Sequence, residues 1–125
     1  MTESTFSADA LARLRESVEV DIETRSAGGE AHRATIWVVV DASDRVLIRS
    51  WKGSGARWYR EAIAAGEAAL LYRDTTLPVR VEHAIDPARI EACSQELLAK
   101  YGGGKTARSM VREEILDTTL ELRPG

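Results

Sequence analysis

The residues best suited to chemistry lie in one short stretch, Ser50-Trp51-Lys52-Gly53-Ser54-Gly55-Ala56-Arg57-Trp58-Tyr59. It sets two cations, two serines, two glycines and two indoles between the end of an apolar strand and the start of a helical pattern. Backbone amides at a helix start, with Lys or Arg beside them, favour an anion, commonly a phosphate. Trp and Tyr supply flat apolar surface on which a conjugated ring can lie. Together they point to a phosphate-bearing ring of the nucleotide or flavin kind. Ser50, Lys52 and Arg57, with Arg49 adjacent, form the anion side of this site. Arg33, in the preceding strand, is a second source of positive charge. Trp51 and Trp58 flank the loop and could stack a ring, while Trp37 sits among apolar residues as a packing group or pocket wall.

No catalytic acid, base or nucleophile can be named from spacing. His83 falls on the apolar face of its strand and reads as a hydrogen-bonded core residue; His32 borders a turn and reads as solvated. Glu19, Asp21 and Glu23 occupy the polar face of another strand, as surface charge. An enzyme built this way would leave its chemistry to a cofactor. Gly104-Lys105-Thr106 suggests a nucleotide-hydrolase phosphate loop, but that motif needs a glycine where Ala99 stands and a strand where a helical pattern precedes it. It reads instead as a glycine hinge ending a helix. Cys93, His32 and His83 have no metal-ligand spacing, so no metal is expected.

The elements that must position these residues follow from periodicity. Ser7 can cap a helix over Ala8 to Ser17. Val18, Val20 and Ile22 then alternate with acids, the mark of a half-buried strand ending at Arg25. A glycine turn at Ser26 to Glu30 leads into a strand from Ala31 to Val40. Its two apolar faces near the end suggest a central strand covered on both sides. Asp41 to Asp44 turns into a strand over Arg45 to Ser50. After the loop, a helix from Trp58 ends at Gly66. Strands over Ala68 to Tyr72 and Leu77 to Glu82 follow, the second with Pro78 near its start. Asp86-Pro87 opens a helix reaching about Lys100, with Ile90, Cys93, Leu97 and Leu98 inward. A helix over Thr106 to Leu116 and a last strand over Thr118 to Arg123 complete the chain. Six largely antiparallel strands with flanking helices predict one mainly β (α+β) domain, residues 1–125, closed as a small split barrel.

Composition narrows the partners. A chain of 125 residues with 44% hydrophobic and 30% charged residues can close one modest core. A net charge of -3 argues against a nucleic-acid binder, so any anion site is local. Met1 to Asp9 lacks an apolar signal core, and no run is long enough to span a bilayer. With one cysteine and hence no internal disulfide, a cytoplasmic protein is the expectation.

From Thr24 to Tyr72 the chain resembles the flavin- and deazaflavin-binding split-barrel group, the pyridoxamine-phosphate-oxidase-like proteins and deazaflavin-dependent nitroreductases. The resemblance rests on Gly28-Gly29-Glu30, on Arg33, on the Asp41 to Asp44 hairpin, on Ser50-x-Lys52-Gly53 and on Trp58-Tyr59. Arg57 to Arg60 and Thr118-Thr119-Leu120 bring it closest to a short bacterial family of unknown function within that group. The resemblance implies that Arg33, Ser50 and Lys52 hold a cofactor phosphate, that Trp58 and Tyr59 line the ring or phosphate side, and that the protein pairs as a homodimer. Two departures stand out: Ala65-Gly66-Glu67 replaces an Asn-Pro pair, and Ile36-Trp37 replaces a proline. The expectation is an FMN- or deazaflavin-dependent oxidoreductase acting on a small organic substrate. The rivals are a cofactor-free small-molecule-binding or cyclisation protein, with a barrel-end pocket between Trp37, Trp51 and Trp58, and a purely structural dimerisation module.

Overall fold

The computed structural model describes residues 6–102 and 104–125. Gly103, the middle of the glycine hinge, and Met1 to Thr5 of the polar N-terminus lie outside the described residues. Among the described residues seven strands form one antiparallel sheet: β1 (Val20–Arg25), β2 (Ala31–Ile36), β3 (Val39–Val40), β4 (Val46–Ile48), β5 (Glu67–Tyr72), β6 (Thr75–His83) and β7 (Leu120–Pro124). Their order is β2-β1-β5-β6-β7-β4-β3. Laid flat, seven strands would hold the outermost pair about 29 Å apart. Yet β2 and β3 are consecutive in the chain, separated only by Trp37 and Val38, and Ile36 and Val39 can be no more than about 11 Å apart. The sheet must therefore curl until its ends approach. The result is the expected split barrel.

The seventh strand arises because the Ala31–Val40 run breaks at Trp37-Val38. That run is not a central strand: β2 and β3 are the two ends of the sheet. Its doubly apolar sequence has another cause. Ile36, Val38 and Val40 point into the barrel core, while Val39 and Trp37 pack under the helices with Leu47, Cys93 and Leu97. The break is held from outside. Lys100 donates to the carbonyls of Val38 (2.7 Å) and Leu14 (3.0 Å), and the neighbouring Tyr101 stacks on Trp37 at 3.7 Å.

Among the described residues four helices flank the sheet: α1 (Ala8–Glu16), α2 (Arg57–Ala65), α3 (Pro87–Tyr101) and α4 (Lys105–Ser109). Ser7 caps α1 and Asp86 caps α3 through side-chain acceptors, and Gly66 ends α2 in the left-handed conformation. On α3, Cys93 and Leu97 are buried but Leu98 is exposed and Ile90 only half-buried. The helix expected over Thr106 to Leu116 is two pieces, α4 and a 3-10 turn at Glu113–Thr118. Arg112 ties the junction to the carbonyls of Ser109 and Trp51, which redirects the chain so that Thr118 and Thr119 reach the end of β4.

Titratable groups on α3, one buried and two half-buried, carry two expected results. Burial pushes the Cys93 thiol up to about 11, and its side chain has no exposure. The native protein should leave a thiol reagent unconsumed at pH 8 and consume one equivalent after denaturation. Burial also lowers Lys100 to about 8. Above pH 8 the unfolded chain then holds the extra proton, so stability gains with rising pH up to the ordinary lysine range. Cys93, raised to about 11, acts in the opposite sense across much of the same pH range, and Tyr101, raised to about 12, does so above it, because their folded forms retain protons. Urea denaturation at pH 8 and 9 should therefore show the gain as the difference between wild type and Lys100→Met.

Candidate functional site

A cavity of about 520 Å³ opens where the barrel is split. Among the described residues strand β2 pairs only with β1, and its other edge faces the loop running from Trp51 into α2. His32 to Trp37 form one wall; Trp51, Lys52 and Gly55 to Trp58 form the other. Thr106 and Met110 close one side, and Arg49 and Glu19 complete the lining.

The loop is shaped from within. Gly53 has a φ of +69°, which an L side chain rarely adopts. The Ser50 hydroxyl, fully buried, donates to the Gly53 carbonyl at 2.7 Å, and the Ser50 amide donates to the Thr118 hydroxyl. Trp51 is 54% exposed, yet its indole N–H donates to Ser109 and the Arg112 guanidinium lies over its ring at 5.7 Å. The loop is therefore pinned to α4 and to the 3-10 turn.

Six residues singled out by sequence, Arg33, Trp37, Trp51, Lys52, Arg57 and Trp58, line this one cavity. Ser50 and Tyr59 do not: Ser50 is bonded inside the loop, and Tyr59 is buried in the barrel core with its ring edge-on to Trp58. Among the described residues, Lys52 and Arg57 have no hydrogen-bond or ion-pair partner, so their charges are available. Arg33 is engaged by Glu23 at 3.0 Å while remaining 60% exposed. Glu23 is thus a partner of Arg33, and Glu19 is a lining residue, rather than plain surface charge. Trp37 presents a wall whose other face is covered by Tyr101.

Arg49, expected beside the anion group, has its donors committed inside the protein, and His32 and Glu61 take roles that spacing did not assign them. Arg49 is only 1% exposed and has no carboxylate partner among the described residues. It donates to Thr119, Ser94 and the carbonyls of Met110 and Ile90, joining β4 to α3, α4 and the start of β7. Burial pulls its guanidinium below the ordinary range. His32 is not solvated: its Nδ1 lies 3.0 Å from the Glu61 carboxylate, which also accepts from Thr24. Register pairs Thr24 with His32, and Glu61 stands one helical turn beyond Arg57, a placement knowable only once α2 packs over the β1–β2 pair. His83 reverses its expectation, being exposed and bonded to the Asp117 carbonyl, because β6 outruns the barrel core at that end.

A curled antiparallel sheet with an open seam and helices outside is the split-barrel fold, shared with solved structures named for HutZ, pyridoxamine 5'-phosphate oxidase and F420 reductase. Residues 10–122 match the family described as "Uncharacterized protein conserved in bacteria (DUF2255)", and the chain belongs to that family. No protein of curated function matches the sequence. Among solved structures it is similar to HutZ of Vibrio cholerae, described as a heme storage protein (TM-score 0.69, 11% identity, covering 94% of this chain and 89% of HutZ). It is also similar to a Listeria innocua protein provisionally assigned as a pyridoxamine 5'-phosphate oxidase (TM-score 0.62, 11% identity, 94% and 90% covered). A third is an F420 reductase (TM-score 0.57, 18% identity, 100% and 96% covered). Among the described residues no helix is long and apolar enough to cross a membrane.

Proposed function

We propose that the protein is a small oxidoreductase that holds FMN or a deazaflavin in the split of its barrel and acts on a small organic substrate, working as a cytoplasmic homodimer. The observation that carries this reading is the convergence of Lys52, Arg57 and Arg33 with three indoles on one cavity. Its volume of about 520 Å³ lies in the range of small-molecule sites. The donor set suits a phosphate joined to a flat ring: two cations without partners among the described residues, and indole surface beside them. Gly55 adds open backbone, since a Cβ there would touch nothing within 4 Å.

In this reading Lys52 and Arg57 hold the phosphate, and Arg33 supplies charge from the opposite wall. Trp37, backed by Tyr101, and Trp58 flank the ring; Trp51 shields the mouth. Ser50 acts one step removed, fixing the Gly53 carbonyl and the loop that carries Lys52. When bound, the ring supplies two-electron hydride transfer; the protein's part is to bind it, orient it and exclude water. The similar solved structures named for pyridoxamine 5'-phosphate oxidase and F420 reductase lend support through shared fold.

The test is a visible absorption spectrum of freshly purified protein, repeated after incubation with FMN or a deazaflavin and desalting. Retained long-wavelength absorption is the expected result. A protein left colourless by both would overturn the reading.

A further inference from the structure

Carboxylate–histidine contacts at a cavity wall are a recurrent way of holding an imidazole ready for proton transfer. Here Glu61 of α2 approaches His32 Nδ1 at 3.0 and 3.2 Å through its two oxygens. The same carboxylate accepts the Thr24 hydroxyl from β1 at 2.8 Å. Burial opposes charge on Glu61, but the bonds from Thr24 and His32 and the nearby Arg57 outweigh it and hold the carboxyl below its ordinary range. An ionised carboxylate only accepts, so the proton of the neutral imidazole sits on Nδ1 and the lone pair on Nε2. Nε2 has no hydrogen-bond partner among the described residues; the nearest acid, Glu30 of the β1–β2 turn, is 3.6 Å away. His32 itself, with a side chain 18% exposed, lines the cavity.

We propose that His32 is the proton-exchanging group of this cavity, oriented by Glu61, and that its Nε2 meets the bound molecules. The role rests on the oxidoreductase reading above. In the reducing direction the His32 Nε2–H bond breaks and its proton passes to an oxygen or nitrogen of a two-electron acceptor such as a quinone. The acceptor receives the electron pair as hydride from the reduced cofactor, which is thereby oxidised. The imidazole is left neutral, still bonded through Nδ1–H to Glu61, and regains its proton from solvent at the mouth. Glu61 is a positioning residue: it fixes which nitrogen of the neutral ring carries the proton and holds the ring's orientation.

The chain has two histidines, His32 and His83, so imidazole NMR signals can be assigned with a single His83→Gln variant. The neutral His32 ring should carry its proton on Nδ1 in wild type and on Nε2 in Glu61→Leu. Its signals should move when FMN saturates the cavity. Oxidation of the photoreduced FMN-loaded protein by menadione should slow about 100- to 10,000-fold in His32→Gln and recover with added imidazole. A proton on Nε2 in wild type, signals unmoved at FMN saturation, or an undiminished rate would each overturn the inference while leaving the cofactor reading intact. If neither FMN nor a deazaflavin binds, the cofactor reading fails and the proton-donor role falls with it.

Discussion

Replacement of Arg49 by methionine is expected to destabilise the fold by about 1–3 kcal/mol, the cost of leaving buried neutral acceptors without their donor. Methionine keeps the apolar stem, so the loss isolates the guanidinium. Four acceptors lose their donor at once: the hydroxyls of Thr119 and Ser94 and the carbonyls of Met110 and Ile90. Arg49 and Thr119 are almost wholly enclosed, so water cannot substitute freely. Because these acceptors come from α3, α4 and the entry to β7, the change loosens the helical layer from the sheet. The urea midpoint should fall sharply with little change in slope. A variant as stable as wild type would show that the buried cation is not what fastens these elements.

The second large effect concerns binding. Lys52→Ala should weaken FMN by about 1–3 kcal/mol, roughly 5- to 150-fold, as expected for losing a hydrogen bond to a charged group. Lys52 is exposed and, among the described residues, makes no contact that holds the loop; Ser50, Gly53 and Trp51 do that. Its removal should leave folding untouched, and the effect should appear in the dissociation constant by tryptophan quenching. Equal affinities for both proteins would place the phosphate elsewhere.

Much of the architecture was legible because strand periodicity and turn chemistry are local. Ser7, Gly66 and Asp86-Pro87 mark helix ends by mechanisms confined to a few residues, and each does so in the structure. The Ala31–Val40 run shows where local reading stops. Its alternation is right along its whole length, but two apolar faces mean only that both are covered, and here helices rather than strands cover one of them. The loop chemistry was legible as residue types gathered in a short span. Ser50 could not be placed, because a hydroxyl's choice between a ligand and the Gly53 carbonyl depends on a turn only three residues wide. The His32–Glu61 contact bridges 29 positions and exists only once α2 lies over β1 and β2. Arg49 was visible as charge but not as a buried strut, since its acceptors lie 41 to 70 positions away.

The whole reading depends on the slot beside β2 recognising both a phosphate and the ring attached to it. Parallel fluorescence titrations of the wild-type protein with FMN and with riboflavin, which has the same ring without the phosphate, test this most directly. Saturable quenching by both is expected, with distinctly tighter binding of FMN and with excess inorganic phosphate narrowing the gap. Equal affinities, or no quenching by either, would contradict it.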